Sequence, residues 1–157
     1  MKKKEIELIC KEYNIRNYTI NDDGSIDVDG DVNLSGRKLT KLPLKFRNLS
    51  GDFDCYDNQL TTLSGSPKSV GGYFYCTYNQ LTTLEGSPKS VKGSFYCNNN
   101  QLTTLEGSPQ VEGNFYCSDN KLNLESYDSE YVKSYIKQLN RDIKINELLN
   151  YGMDDII

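Results

Sequence analysis

The sequence predicts an α+β repeat solenoid: a stack of short parallel strands, capped at the start by a helix and β-hairpin and at the end by a helix. Internal repetition carries most of this expectation. Phe53, Phe74, Phe95 and Phe115 recur at intervals of 21, 21 and 20 residues, and Cys55, Cys76, Cys97 and Cys117 keep the same intervals. Asn58, Asn79, Asn100 and Asn120 follow suit, as do Leu60, Leu81, Leu102 and Leu122. Composition points the same way. A chain of 157 residues suggests one domain, and a hydrophobic content of 36% is thin for a single compact core.

Taken in order, residues 1–29 read as an N-terminal cap. Ile6, Ile9, Cys10 and Tyr13 have the i, i+3, i+4, i+7 spacing of an amphipathic helix over residues 2–13. "NYTINDDGSIDVDG" then reads as a strand, an Asp-Asp-Gly turn and a second strand. The solenoid spans 30–124, in about five coils. Its first copy, "GDVNLSGRKLTKLP", places Val32, Leu34, Leu39 and Leu42 in the core, and Arg37 stands where later copies have asparagine, so that coil is expected to be irregular. In "YFYCT" the period of two sends Phe74 and Cys76 inward and Tyr73, Tyr75 and Thr77 outward, with one strand per coil. Val70 and Val91 join the interior. The asparagines sit where the chain leaves the strand and can satisfy backbone groups of adjacent coils, and the glycine and proline of "EGSPK" turn the chain back.

A solenoid's terminal coil exposes an apolar edge that needs a cover. Residues 125–157 supply one as a C-terminal helical cap, all within one structural domain. Tyr131, Tyr135, Leu139 and Ile143 run at i+4 steps with Val132 and Ile136 beside them, and Asp128 or Ser129 suits the N-cap. Asn140 is expected to interrupt this helix, "INELLNYG" to add a further turn or two ended at Gly152, and Lys133, Lys137 and Arg141 to form its solvated face.

The phrase apolar-x-apolar-x-x-Asn-x-Leu-x-x-Leu, written in "FYCTYNQLTTL" and "FYCNNNQLTTL", resembles the leucine-rich repeat over residues 30–124. The period is similar to the short class of that repeat, whose back is extended rather than helical. More narrowly, the coils resemble the "NQLTTLEGSPK" repeat proteins of large bacteriophages and some bacteria. That resemblance implies a phage or bacterial cytosolic origin and no chemistry.

Function classes narrow by exclusion. A net charge of -4 gives no general attraction to nucleic acid or anionic membrane. Glu5 and Glu7 interrupt the apolar core a signal peptide would need, and no long apolar run follows, so a soluble cytoplasmic protein is expected, with its five cysteines reduced. A linear stack of inward thiols does not converge on a point, so packing is preferred to a metal site; Cys10, on the apolar face of its helix, reads the same way. There is no histidine, no glycine-rich phosphate loop and no cofactor motif. Asp22, Asp23, Asp27, Asp29 and Asp31 look superficially like a calcium loop but lack the closing glutamate, and alternation with Ile26 and Val28 fits a strand better.

The outward strand positions remain: Asp52, Asp54 and Tyr56; Tyr73, Tyr75 and Thr77; Ser94, Tyr96 and Asn98; Asn114, Tyr116 and Ser118. One column reads Asp54, Tyr75, Tyr96, Tyr116, an aromatic stripe with an acidic end continued upstream by Asp31 and Asn33. Cross-strand tyrosines can merely stabilise a sheet. They also bury large area at low entropic cost, which suits an interface. The expected function is non-enzymatic protein binding through Asp52, Asp54, Tyr56, Tyr73, Tyr75, Thr77, Tyr96, Asn98, Tyr116 and Ser118. The phage-like resemblance implies a host protein as partner, for example a defence enzyme that is blocked. The alternative is sequestration of a nucleotide-like small molecule, for which a flat face offers poor enclosure. Oligomeric state is left open.

Overall fold

The computed structural model describes residues 1–151. Helix α1 (Lys3–Glu12) opens the chain, with the Glu5 carboxylate accepting the Lys2 N–H at 2.9 Å, and it buries Ile6 and Cys10. Strands β1 (Tyr18–Ile20) and β2 (Ile26–Val28) form an antiparallel hairpin. In its turn, Asp23 Oδ1 accepts the Ser25 N–H at 3.0 Å and Gly24 takes φ 76°. This hairpin is part of the solenoid wall, because β2 pairs in parallel with the next strand of the back sheet.

Beyond the hairpin the chain is a parallel β-solenoid, and its coils differ from expectation in one respect. Each carries two short strands rather than one, except the last, in which β11 is followed directly by the C-terminal helix. The front sheet contains β3 (Val32–Asn33), β5 (Phe53–Asp54), β7 (Phe74–Tyr75), β9 (Phe95–Tyr96) and β11 (Phe115–Tyr116), all parallel and stacked in that order. The back sheet continues from β1 and β2 through β4 (Phe46–Leu49), β6 (Ser69–Val70), β8 (Ser90–Val91) and β10 (Gln110–Val111). The back strands are two to four residues long, too short for alternation to be read from sequence, and most show only a single inward valine. A glycine corner joins the two sheets. A Cβ on Gly93 would lie 2.6 Å from Gly72 O of the preceding coil, so this approach requires glycine.

Between the sheets the repeated residues stack on their copies. Phe53–Phe74 and Phe74–Phe95 ring centroids are each 5.2 Å apart with near-parallel planes, and Phe95–Phe115 follows at 5.1 Å. The ladder cysteines and the leucines Leu60, Leu63, Leu81, Leu84, Leu102 and Leu105 fill the rest, all essentially inaccessible to solvent. The first coil is irregular where Arg37 replaces asparagine. Gly36 and Lys38 both take positive φ there, and Asn58 of the next coil reaches back, its Oδ1 accepting the Arg37 and Leu39 N–H groups at 3.1 and 2.9 Å.

Helix α2 (Ser129–Tyr151) covers the last coil. It runs without a break through Asn140, so the expected interruption is absent; a single asparagine costs too little to end a helix otherwise anchored by packing. The packing face is also rotated from the i+4 row. Val132 and Ile136 are the buried pair, Tyr131 and Leu139 flank them, and Tyr135 is 38% exposed. Asp128 is the cap, its Oδ1 accepting the N–H groups of Glu130 and Tyr131 at 3.0 and 3.2 Å. Ser129 instead ties the helix to the sheet. Its Oγ accepts the Phe115 N–H at 2.8 Å, satisfying an outward donor of the edge strand β11. Lys133 is not simply solvated, since its Nζ donates to Gly113 O at 3.1 Å. The helix end expected at Gly152 lies outside the described residues.

Candidate functional site

Asparagine fixes the coil spacing on which the front face depends. Asn79 Nδ2 donates to Cys55 O at 3.0 Å in the coil before it and to Cys76 O at 3.2 Å in its own, while its Oδ1 accepts the Leu60 N–H at 2.9 Å. Asn58, Asn100 and Asn120 repeat this bracket. Neighbouring front strands are thereby locked in register, and Asp54, Tyr75, Tyr96 and Tyr116 align in one column.

The outward rings then stack at strand spacing. Tyr75 and Tyr96 centroids lie 4.8 Å apart with planes 14° from parallel, and Tyr96 and Tyr116 lie 4.7 Å apart at 17°. Tyr73 leans against both Tyr75 and Tyr96, at 6.0 and 6.4 Å. Asn98 Nδ2 donates to Ser118 Oγ at 2.6 Å, and Thr77 is half-buried between Tyr56 and Asn98 in the adjoining column. Burial holds the Tyr75 hydroxyl above its ordinary pKa, with Tyr96, Asp52, Tyr73 and Asp54 adding to the shift.

The column before the phenylalanines has a backbone role. Asp31 Oδ1 accepts the Asp52 N–H and Asp52 Oδ1 accepts the Tyr73 N–H, each at 2.7 Å, and Ser94 Oγ accepts the Asn114 N–H at 2.9 Å. Ser94, expected on the surface, is buried. Asp54 is different. Its Oδ1 accepts the Tyr56 N–H at 2.9 Å, and burial, with Asp52 adding, raises its carboxyl above the ordinary value. Among the described residues the ion pairs involve Lys45, Arg47 and Lys133, and none reaches Asp52 or Asp54.

Sequence reasoning passed over Tyr78. It lies past the strand, 51% exposed, and packs edge-on against Tyr56 with centroids 5.5 Å apart. Its φ is 55°, a left-handed conformation shared by the equivalent Gly36, Asp57, Asn99 and Asp119. Asparagine and aspartate tolerate that region and bulky residues do not, so the tyrosine is the outlier of its column. Aligning the copies by this corner, rather than by the strand, would have singled it out.

The other candidates resolve into packing and surface contacts. Cys55, Cys76 and Cys97 donate their thiols to Tyr75 O, Tyr96 O and Tyr116 O at 3.2 to 3.4 Å. Burial drives the thiols of Cys55, Cys76 and Cys97 far above their ordinary pKa and that of Cys117 up to about 11. Thiols so held are neither nucleophiles nor ligands. In the acidic run, Asp23 pairs with Lys45 at 3.1 Å, Asp27 takes the Arg47 guanidinium, and Asp29 Oδ1 accepts the Ser50 hydroxyl at 2.7 Å. These carboxylates tie the hairpin to the next coil, and hydrogen bonds from Ser25 and from Arg47 respectively lower the Asp23 and Asp27 carboxyls. Among the described residues no group of three or more Cys, Asp or Glu side chains is placed to hold a metal ion. A cleft of about 440 Å³ between α2 and the β10 edge, lined by Pro109, Val111, Phe115, Lys133 and Ile136, includes none of the column tyrosines.

Comparison with known protein families, curated proteins and solved structures finds no match. What fold and site define is a class: a parallel β-solenoid closed by helices, bearing an aromatic and acidic outer sheet face. No helix among the described residues is long and apolar enough to cross a membrane.

Proposed function

We propose that the chain is a non-enzymatic binding module whose front sheet, from Asp52 and Asp54 across Tyr73, Tyr75, Tyr96 and Tyr116, docks a partner protein. The observation that carries this reading is the tyrosine ladder itself: rings stacked at 4.7 and 4.8 Å on a hydrogen-bonded scaffold present a rigid, amphipathic surface already ordered before binding. Pre-ordered tyrosines lose little entropy on contact and retain hydroxyls for hydrogen bonds. The repeat phrase, similar to the leucine-rich repeat, is in keeping with a solenoid that binds through its strand face. Its likeness to phage-encoded coils supports a host protein as the partner, in the cytoplasm, with inhibition of a defence enzyme as the outcome; the host assignment rests on analogy alone.

Affinity capture from bacterial lysate, with the wild type set against Tyr75→Ala and Tyr96→Ala, tests the reading. A partner retained by the wild type and lost by both folded variants is expected. Equal retention by all three would show that the ladder only stabilises the sheet.

A further inference from the structure

On the front face the tyrosine ladder ends beside a carboxylate. Asp54 pairs in register with Tyr75 of the next coil, and Tyr56 follows it two residues on, pointing to the same side. The residues at this column position in the preceding and present coils are Asn33 and Asp54, both short, whereas the next three are tyrosines. The ring of Tyr75 is therefore covered by Tyr96 on one face and meets a carboxylate instead of a ring on the other. The electron-rich face of an aromatic ring beside an anion is an unfavourable pairing that a cation between them would reverse. Among the described residues no cation does so. The guanidinium that lies over a ring is that of Arg37, 5.8 Å from Tyr13, and no ion pair reaches Asp52 or Asp54.

Tyr78 supplies an independent observation. It packs edge-on against Tyr56 while occupying a backbone conformation that disfavours it, in the same coil as Tyr75. Such strain persists where the surrounding structure over-determines it.

Resting on the protein-binding reading above, we infer that the partner presents an arginine side chain to this end of the ladder, its guanidinium stacking on the Tyr75 ring beside Tyr56 with the Asp54 carboxylate as counter-ion. A planar guanidinium alone among cationic side chains both stacks on a ring and pairs with a carboxylate in a plane.

The test is an NMR titration of the isotope-labelled full chain with a ten-residue peptide alternating arginine and serine, and with versions carrying lysine or uncharged citrulline in place of arginine. The arginine peptide is expected to shift the signals of Asp54, Tyr56 and Tyr75, to bind about tenfold more tightly than the citrulline peptide, and to be weakened about as much by Asp54→Asn. Tyr78→Asn, which keeps Asp54, Tyr56 and Tyr75, is expected to weaken it severalfold. Equal binding of arginine and citrulline peptides, no effect of Asp54→Asn, or shifts confined to the back sheet would each overturn the inference. Lysate capture by Asp54→Asn separates the two levels: capture that still needs Tyr75 and Tyr96 but ignores Asp54 overturns the arginine and keeps the face, whereas capture indifferent to all three overturns both.

Discussion

Asn79 and Cys55 belong to successive coils, and the 3.0 Å hydrogen bond from Asn79 Nδ2 to Cys55 O is one of four that the amide makes at once. Its side chain closes the corner of one coil onto the strand of another, in a place water does not reach. Asn79→Ala leaves Cys55 O, Cys76 O and the Leu60 N–H without these partners. With a cost of roughly 1–3 kcal/mol for each buried group stranded, a loss of about 3–5 kcal/mol is expected in urea unfolding. Asn79→Asp keeps the acceptor for Leu60 but removes the donor and adds a buried charge, so it is expected to be no better tolerated.

The cysteine ladder makes the protein sensitive to alkali. A thiol whose folded pKa is raised stays protonated in the native state while its unfolded counterpart ionises, so stability holds up to about pH 9 and falls as pH rises toward the folded value. Each such thiol contributes a slope approaching 1.4 kcal/mol per pH unit in that window. Urea melts at pH 8, 9 and 10 are expected to show the decline, and Cys76→Ala to reduce its slope by about one thiol's share. At pH 8 the same burial should leave all four ladder thiols unalkylated until the chain is unfolded.

Ser129 joins the end cap to the sheet through a single hydroxyl. Ser129→Ala strands the Phe115 N–H at the edge of β11, and a loss of about 1–2 kcal/mol in thermal or urea unfolding is expected. Asp128→Ala removes the N-cap of α2 and should cost about 1 kcal/mol. The side chains sit next to each other at one helix start, so the double variant is expected to depart from additivity.

Two front-face substitutions are expected to raise stability. Tyr78→Asn places at φ 55° a residue that tolerates this conformation, as Asn99 does one coil later, and should gain about 0.5–1 kcal/mol after loss of the Tyr56 contact. Asp54 has its carboxyl raised by burial, so its ionised form opposes folding above the unfolded pKa, and that opposition is relieved as pH falls through the folded pKa. Asp54→Asn should therefore melt higher than the wild type at pH 7, with the difference shrinking toward pH 4. Residues that lower stability where a surface is exposed are the ones expected to serve binding. Unchanged or lower melting temperatures for both variants would remove this support.

Much of the fold was legible because the inward residues repeat with their coil: the Phe and Cys rungs, the Leu pairs and the bracketing asparagines each announce one structural position. The back sheet was not, since Ser69–Val70 and Ser90–Val91 are too short to show a period and derive their order from neighbours in the stack. The face of α2 was misjudged because Tyr131, Tyr135, Leu139 and Ile143 form as regular a row as Val132 and Ile136, and only the position of β11 decides which row is covered. On the front face the outward tyrosines were readable from alternation. Ser94 was not, because alternation alone does not reveal its hydrogen bond to the Asn114 N–H of the following coil. Tyr78 was missed because its meaning lies in a backbone angle.

On the proposed reading a partner protein docks on the front sheet and not on the back. Calorimetric titration of the captured partner into the wild type, a Tyr75→Ala/Tyr96→Ala variant and a back-sheet control, Lys68→Ala/Lys89→Ala, tests this. At least about a hundredfold loss of affinity is expected for the tyrosine variant, in line with two interface hot spots, with the control unchanged. Full affinity in a correctly folded tyrosine variant, or a comparable loss in the lysine control, would contradict the account.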